Sequence, residues 1–376
     1  TSEGTRTVTV NLGIAMSRVT EGSSVGDGST PKDMKVWIFN QDDTKLIDYY
    51  EVQSPQFLGS DILGELVNTD EHVFELDNSI TDLHFYAVLN SESGTGLDLS
   101  KASTPTQIES ATFTALNNVA GDNQVPVYGE ATLDVSDHKN SYPVTIETKR
   151  AVSKLELFFT KESEGSSLAI NKITLTNIPD KGFLAKEITA TDITNYDRSD
   201  VLFDGSNNQS LTIDQTLPAS ESQVGDFSSH PANFTSVTLS QPYLLENPNN
   251  KAWDDNKQTD YEYPDIEPSN ENAYILQVDY TLDGTQKTQA ICLPEIKRNV
   301  WNKIYARVTS SGYELLLSPN PWNMEDITVN YEDNLSYVSQ GWGNTILGFL
   351  NETKTQVQIN PNQPAVLTFM INTPSG

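Results

Sequence analysis

Four histidines, His72, His84, His138 and His230, are scattered through the 376-residue sequence and show no metal-site spacing. The one cysteine, Cys292, excludes an intrachain disulfide framework and a cysteine metal cluster, and reads as a small core hydrophobe. The segment GSSVG, Gly22 to Gly26, fits the spacing of a nucleophile elbow. It lies in a polar loop, whereas that nucleophile needs a buried strand before it and a helix after it. No glycine-rich phosphate loop occurs. Asp254, Asp255, Asp260, Glu262, Asp265 and Glu267 offer the oxygen ligands that calcium takes, but their spacing fits no calcium loop, and a solvated connection accounts for them. Trp253, Tyr261 and Tyr263 in the same segment are suited either to stacking on sugars or a protein partner, or to packing onto a sheet. Carboxylates are too numerous to single out a glycosidase pair. The residue chemistry points away from an enzyme, and no catalytic residue, cofactor or metal is expected.

Composition narrows the classes further. The formal net charge is −29, from 52 acidic and 23 basic residues, which argues against binding nucleic acid or an anionic membrane. No run of about 18 apolar residues exists to span a bilayer as a helix. No signal-peptide pattern is present, and Thr1 reads as the start of a trimmed chain. The length predicts two or three domains, each large enough for its own core.

The elements are strands. From Thr5 to Arg18, Val8, Val10, Leu12, Ile14 and Met16 alternate with Thr7, Thr9, Asn11, Gly13 and Ala15, the pattern of a half-buried strand. The Gly/Ser-rich stretch from Val19 to Lys32 reads as an exposed loop. Met34–Phe39 and Leu46–Val52 form a hairpin-like pair, Leu83–Leu89 a buried strand, and Val125–Val135 a strand with Pro126 near its start. A short helix is predicted within 102–118, through Ile108, Ala111, Phe113 and Leu116. Leu168 and Ile170, then Ile173 and Leu175, alternate with a shift of one between the pairs. The region 197–223 reads as polar loop with one strand, Leu211–Ile213, and 237–245 as a strand broken by Pro242. Asp283-Gly284 between Tyr274–Leu282 and Thr285–Leu293 predicts a two-residue hairpin. Val300–Val308 closes the second core. Beyond Tyr313, Pro319 and Pro321 mark a break, with strands over 327–331, 357–359 and 365–371 and a helical turn over 344–351.

The sequence turns on Pro143 to Phe159, PVTIETKRAVSKLELFF. Its apolar residues are even-numbered first, Val144 and Ile146, and then odd-numbered, Ala151, Leu155, Leu157 and Phe159, with Lys149 and Arg150 at the change. A strand with one buried face does not switch faces partway. One extended segment, or two abutting strands, serving two cores explains the switch; a bulge within one domain is the alternative. The expected architecture is all-β: two sandwich domains in tandem, over 1–147 and 148–318, and a C-terminal appendage over 319–376.

Four motifs, in this order and spacing, resemble the fimbrillin family, the type V pilins of anaerobic Gram-negative bacteria. They are HFYAVLN (84–90), VPVYGE (125–130), KRAVSKLEL (149–157) and KRNVWNKIYARV (297–308). The resemblance covers about residues 5–310, whereas WNMEDITVNYEDN (322–334) departs from the best-known stalk subunits. It implies β-sandwich domains of transthyretin-like, Greek-key type. It also implies a structural subunit of a fimbria at the cell surface, exported as a lipoprotein and attached to the outer membrane only through the precursor lipid. In that family a trypsin-like protease cuts after an arginine that follows the first strand, and a strand from another subunit fills the opened groove. Arg18, followed by Val19, stands in the matching place. Val8, Val10, Leu12, Ile14 and Met16 would then be the removable strand, and Ala365, Leu367, Phe369 and Ile371 the donor-strand candidate or an ordinary last strand. The implied partners are other pilin subunits. The alternative is a tip adhesin or surface lipoprotein that holds a glycan or a host protein through its loops.

Overall fold

The computed structural model describes residues 4–17, 31–55, 65–251 and 271–322, with short stretches at 335–336, 346–349, 357–359 and 370–371. The chain divides into two compact units, one of 1–59 with 64–325 and one of 60–63 with 326–376.

The first unit is built on strands. Its first part holds β1 (Thr5–Ser17), β2 (Asp33–Asn40), β3 (Leu46–Gln53), β4 (Glu65–Asp77), β5 (Asp82–Leu89), β6 (Val127–Asp134) and β7 (Ser141–Arg150). They form one sheet in the order β3-β2-β5-β6-β7-β1-β4. All neighbours are antiparallel except β1 and β7, which run parallel. Tyr50 of β3 stacks on His72 of β4, with ring centroids 3.8 Å apart, so the two end strands of the sheet meet there. The curled sheet encloses a core of Val8, Val10, Leu12, Ile14, Val36, Phe85 and their neighbours.

The second part holds β8 (Ser153–Lys161), β9 (Leu168–Ile178), β10 (Arg198–Asp204), β11 (Ile275–Leu282), β12 (Thr285–Cys292), β13 (Val300–Thr309) and β14 (Gly312–Pro321). One sheet runs β8-β13-β14 and the other β10-β9-β11-β12, each extended by two-residue strands. Leu155, Leu157, Ile173, Val278 and Ile304 lie in the core of this part. That core continues onto the outer face of the first sheet through Trp37, Phe39, Tyr86 and Val88. Across the parity switch, Val144 packs on the first cluster and Phe159 sits in the second. Strands β7 and β8 abut, separated only by Ala151 and Val152. Asp283 and Gly284 both have positive φ, 49° and 79°, as the tight β11–β12 turn requires. The shift of one in β9 is an irregularity against β11 between Ile170 and Lys172.

Several elements differ from the sequence reading. β4 is a full strand that the polar sequence ELVNTDEHVFELD concealed. β10 lies inside the stretch read as loop; it is an edge strand in which only Leu202 is buried. The segment 237–245 carries one two-residue strand, Tyr243–Leu244, because Pro242 and the side-on contacts of Val237 and Ser240 leave no continuous ladder. The predicted helix is one turn, Pro105–Glu109, after which Phe113 and Leu116 lie in two-residue strands. Pro319 and Pro321 do not interrupt β14, which is an edge strand where missing N–H groups are tolerated. Ile346–Phe349 is a strand paired with Val357–Ile359, not a helical turn. In the second unit Leu335–Ser336 also pairs with Met370–Ile371.

Candidate functional site

The four motifs each do a definable structural job. Asn90 ends β5 in the left-handed region, φ 59°, and its amide donates to the carbonyls of Asn123 and Val125 at 2.8 Å each. Gly129 sits where a Cβ would stand 2.4 Å from the Glu147 carbonyl oxygen, so β6 approaches β7 as closely as it does only with glycine there. Arg150 is buried at the end of β7, with its guanidinium over the Trp322 ring at 4.7 Å. Burial pushes its pKa down to about 10, against the opposing pull of Asp122 and Tyr243. Arg298 is also buried. It bonds Glu246 through Nε and Nη2 at 2.9 Å and the carbonyls of Phe183, Leu184, Ala185 and Lys186. Asn299 beside it takes φ 59°, and its N–H donates to Val152 at the β7–β8 joint.

The assembly site read from the sequence centres on β1. Its ladder with β4 runs over 13 register pairs and its ladder with β7 over 8, so the strand is held along both edges. Val8, Val10, Leu12 and Ile14 are each at most 1% exposed. Opposite them stand Phe74 on β4 and Tyr142, Val144 and Ile146 on β7. The polar contacts of β1 lie on its other side and at its start. Thr7 donates to Glu75 at 2.5 Å, and Arg6 donates to Asn78 and to the Val135 carbonyl at 2.8 Å each. Arg6 also meets Nδ1 of His138 at 3.2 Å. Taking β1 away would leave a slot one strand wide, with apolar walls and two rows of unpaired backbone groups. Among the described residues it would also remove the one ladder partner of β4.

Met16 pairs with Thr148 and Leu66 in the backbone register. Ile371 pairs with Leu335 in a two-residue strand. Arg18, Val19, Ala365, Leu367, Phe369, Trp253, Tyr261 and Tyr263 lie outside the described residues, as does the acidic run 254–267. Cys292 is a free, buried thiol whose pKa is raised by burial. His84 is half-buried, with Nδ1 2.9 Å from Asp43 and 3.1 Å from the Tyr86 hydroxyl. Among the described residues no three His, Cys, Asp or Glu side chains group as a metal site would need. No helix among them is long and apolar enough to cross a membrane.

Sequence reasoning passed over the two buried arginines as structural parts, although both stand in the motifs it quoted. It also missed a cleft beside β10, where charged residues occupy the core side of an edge strand.

Neither a family model nor a curated protein matches the chain. Solved structures of similar shape include a cell-adhesion candidate from Bacteroides eggerthii, at 12% identity and TM-score 0.47, covering 84% of this chain and 95% of that one. A fimbrial assembly protein from Parabacteroides distasonis is 10% identical with TM-score 0.42, covering 83% and 96%. A C-terminally truncated tip fimbrial protein from Porphyromonas gingivalis is 11% identical with TM-score 0.43, covering 84% and 100%. Their descriptions fall in the class of protein that the sequence resembles.

Proposed function

We propose that the protein is a structural subunit of a cell-surface pilus, joined to its neighbours by strand exchange. The observation that carries this reading is the setting of β1. A strand near the start of the chain fills an internal place in a sheet, parallel to β7, with four side chains fully inside the core. An arginine follows directly in sequence. Cleavage after Arg18 would free β1 to leave, and a donor strand from another subunit would take its place between β4 and β7. Four buried aliphatic side chains at about 1.5–3 kcal/mol each supply a large gross burial term for such a joint. The entropy of ordering the incoming strand, about 1–2 kcal/mol per residue, opposes it. Two backbone ladders add directionality and register. The donor candidate is the 365–371 segment, AVLTFMI, in which Ala365, Leu367, Phe369 and Ile371 make one apolar face while Val366 and Met370 make the other partly apolar too. The partners are further copies or relatives of this subunit, and the place of work is the cell surface.

The test is limited trypsin treatment followed by mass spectrometry and a binding measurement. Cleavage after Arg18 is expected before cleavage at ordinary interior sites, because exposed Gly/Ser segments are the preferred nicking sites. The trimmed protein should bind a synthetic AVLTFMI peptide and the uncut protein should not. Leu367→Asp or Phe369→Asp in the peptide should abolish binding. Equal binding before and after trimming would show that β1 does not guard the slot.

A further inference from the structure

The second part of the first unit holds a cleft of about 210 Å³ at the β10 edge of its sheet. The register sets β10 residues against β9, with Asp200 opposite Leu175 and, past a bulge in β9, Arg198 opposite Ile178. Leu175 and Ile178 are core residues, at 2% and 6% exposed, so Arg198 and Asp200 stand on the core face of the sheet. An edge strand that carries two charges on that face leaves the sandwich unsealed there. The floor is apolar and buried, formed by Leu175, Leu202, Leu244 and Tyr274 among others. The Tyr274 hydroxyl is already committed, donating to the Leu245 carbonyl at 2.8 Å.

The rim is charged in a particular way. Arg198 Nη1 donates to the Thr114 carbonyl at 2.7 Å, which holds the guanidinium at the mouth. Its Nη2 lies 4.0 Å from Asp200 Oδ2, too far for a hydrogen bond. Both side chains are partly in solvent, at 39% and 47% exposure, where such a pair holds together weakly and a ligand can part it. The rim therefore presents one cation and one anion above an apolar well. A simple carboxylic acid would meet Asp200 unfavourably, and a simple amine would meet Arg198 unfavourably. A zwitterion satisfies both. The volume is below that of pockets for drug-sized ligands, roughly 300–1,000 Å³, and suits a single large side chain.

We propose that this cleft binds a free α-amino acid with a large apolar side chain. The side chain enters the well, the α-carboxylate accepts from Arg198, and the α-ammonium donates to Asp200. The site is formed whether or not β1 is cleaved, so its test is separate from that of strand exchange.

The test is titration of the full chain with L-phenylalanine, followed by calorimetry and by heteronuclear NMR of the labelled protein. Saturable one-to-one binding is expected, with Kd of about 1 mM for so small a ligand. 3-Phenylpropionate, which lacks the ammonium, and phenethylamine, which lacks the carboxylate, should each bind about three- to tenfold more weakly. Asp200→Asn, at an exposed position, should weaken phenylalanine by a similar factor and leave 3-phenylpropionate no weaker than before. Ala115→Trp, at the rim, should block the well, with circular dichroism confirming that both variants are folded. Absence of saturable binding overturns the proposal. So does binding that neither variant changes, or equal binding of the three ligands.

Discussion

The two parts of the first unit close their cores by opposite means. In the second part, where β8 runs parallel to β13 as β1 does to β7, buried charges pin the chain. Arg298 clasps Glu246 and four carbonyls, and Arg307 bonds Glu314 and the carbonyls of Leu217 and Ser222. The first part has its own buried ion pair, Lys35 with Asp33 at 3.0 Å, but that pair joins β2 to Ser91 and does not touch β1. The strand that completes the first core is held by apolar side chains, backbone ladders and contacts at its surface. Apolar packing is non-directional and tolerates another strand of the same pattern. A buried arginine clasped to a buried carboxylate cannot be lost alone without leaving its partner's charge uncompensated. The one charged anchor of β1 is Arg6, near its start and only partly buried, so the part of the strand inside the core is held without charge.

The largest expected effect is at β1. Leu12→Asp puts a carboxylate into the core at a position 1% exposed, and should cost more than about 5 kcal/mol, enough to unfold the first part. A denaturant melt of the uncut protein checks it. Once β1 has been replaced by a donor, the same variant should be silent, and an equal loss in both states would break the contrast. Next comes Arg298→Met, which leaves Glu246 buried without its partner and should cost about 3–5 kcal/mol. Much of that should return when Glu246→Leu is added. This loss should be the same before and after trimming, because the clasp lies outside the slot. Gly129→Ala forces β6 away from β7 and should cost about 1–3 kcal/mol by the same melt. It tests whether the fixed wall of the slot is as rigid as the second part.

How much of this was legible beforehand follows from which faces each strand shows. β1 is legible because Val8, Val10, Leu12 and Ile14 make one face apolar while Thr7, Thr9, Asn11 and Gly13 keep the other free of large apolar side chains. The β7–β8 joint was read from its change of parity, and the β11–β12 hairpin from Asp283-Gly284. β4 and β10 escape for the same reason: as end strands of their sheets they carry few buried side chains among those described, and Val73 and Val201 are exposed at 58% and 43%. Periodicity reports burial, not hydrogen bonding, so an edge strand paired on one side leaves little trace. The roles of Arg150 and Arg298 were hidden because a buried arginine is indistinguishable from a surface one until its carbonyl acceptors, distant in sequence, are known. The cleft was invisible for a related reason. Arg198 and Asp200 look like any polar loop until the register sets them against Ile178 and Leu175.

The smallest expected effect concerns acid. Asp137, beside the start of β7, has its pKa lowered from 3.8 to about 2, first by its bond to Lys139 and then by that to Tyr142. Asp192 in the second part is lowered to about 2 by Lys186 and Thr189. A depressed carboxylate contributes stability that is present above its unfolded value and is lost as pH falls through the folded one. Both contributions should therefore fade between about pH 4 and 2. They should fade together, so acid should not separate the two parts. Melts of Asp137→Asn and Asp192→Asn across that window would show it, and a transition of the first part alone would revise the comparison.

The parallel pairing of β1 has a consequence in time. Thr9 finds Val73 on one side and Ser141 on the other, so neither ladder of β1 is local in sequence. Strands that must close long loops dock late, because the entropy of closure is spent before the contacts form. β2, β3, β5 and β6 join antiparallel neighbours that are mostly nearer along the chain, and can assemble first. Every molecule would then pass through a stage in which the β7 wall of the slot is formed and its strand is missing. The same vacancy that trimming would create is one the chain meets each time it folds, and in that interval its own β1, tethered to the rest, has the advantage of proximity over any strand from outside.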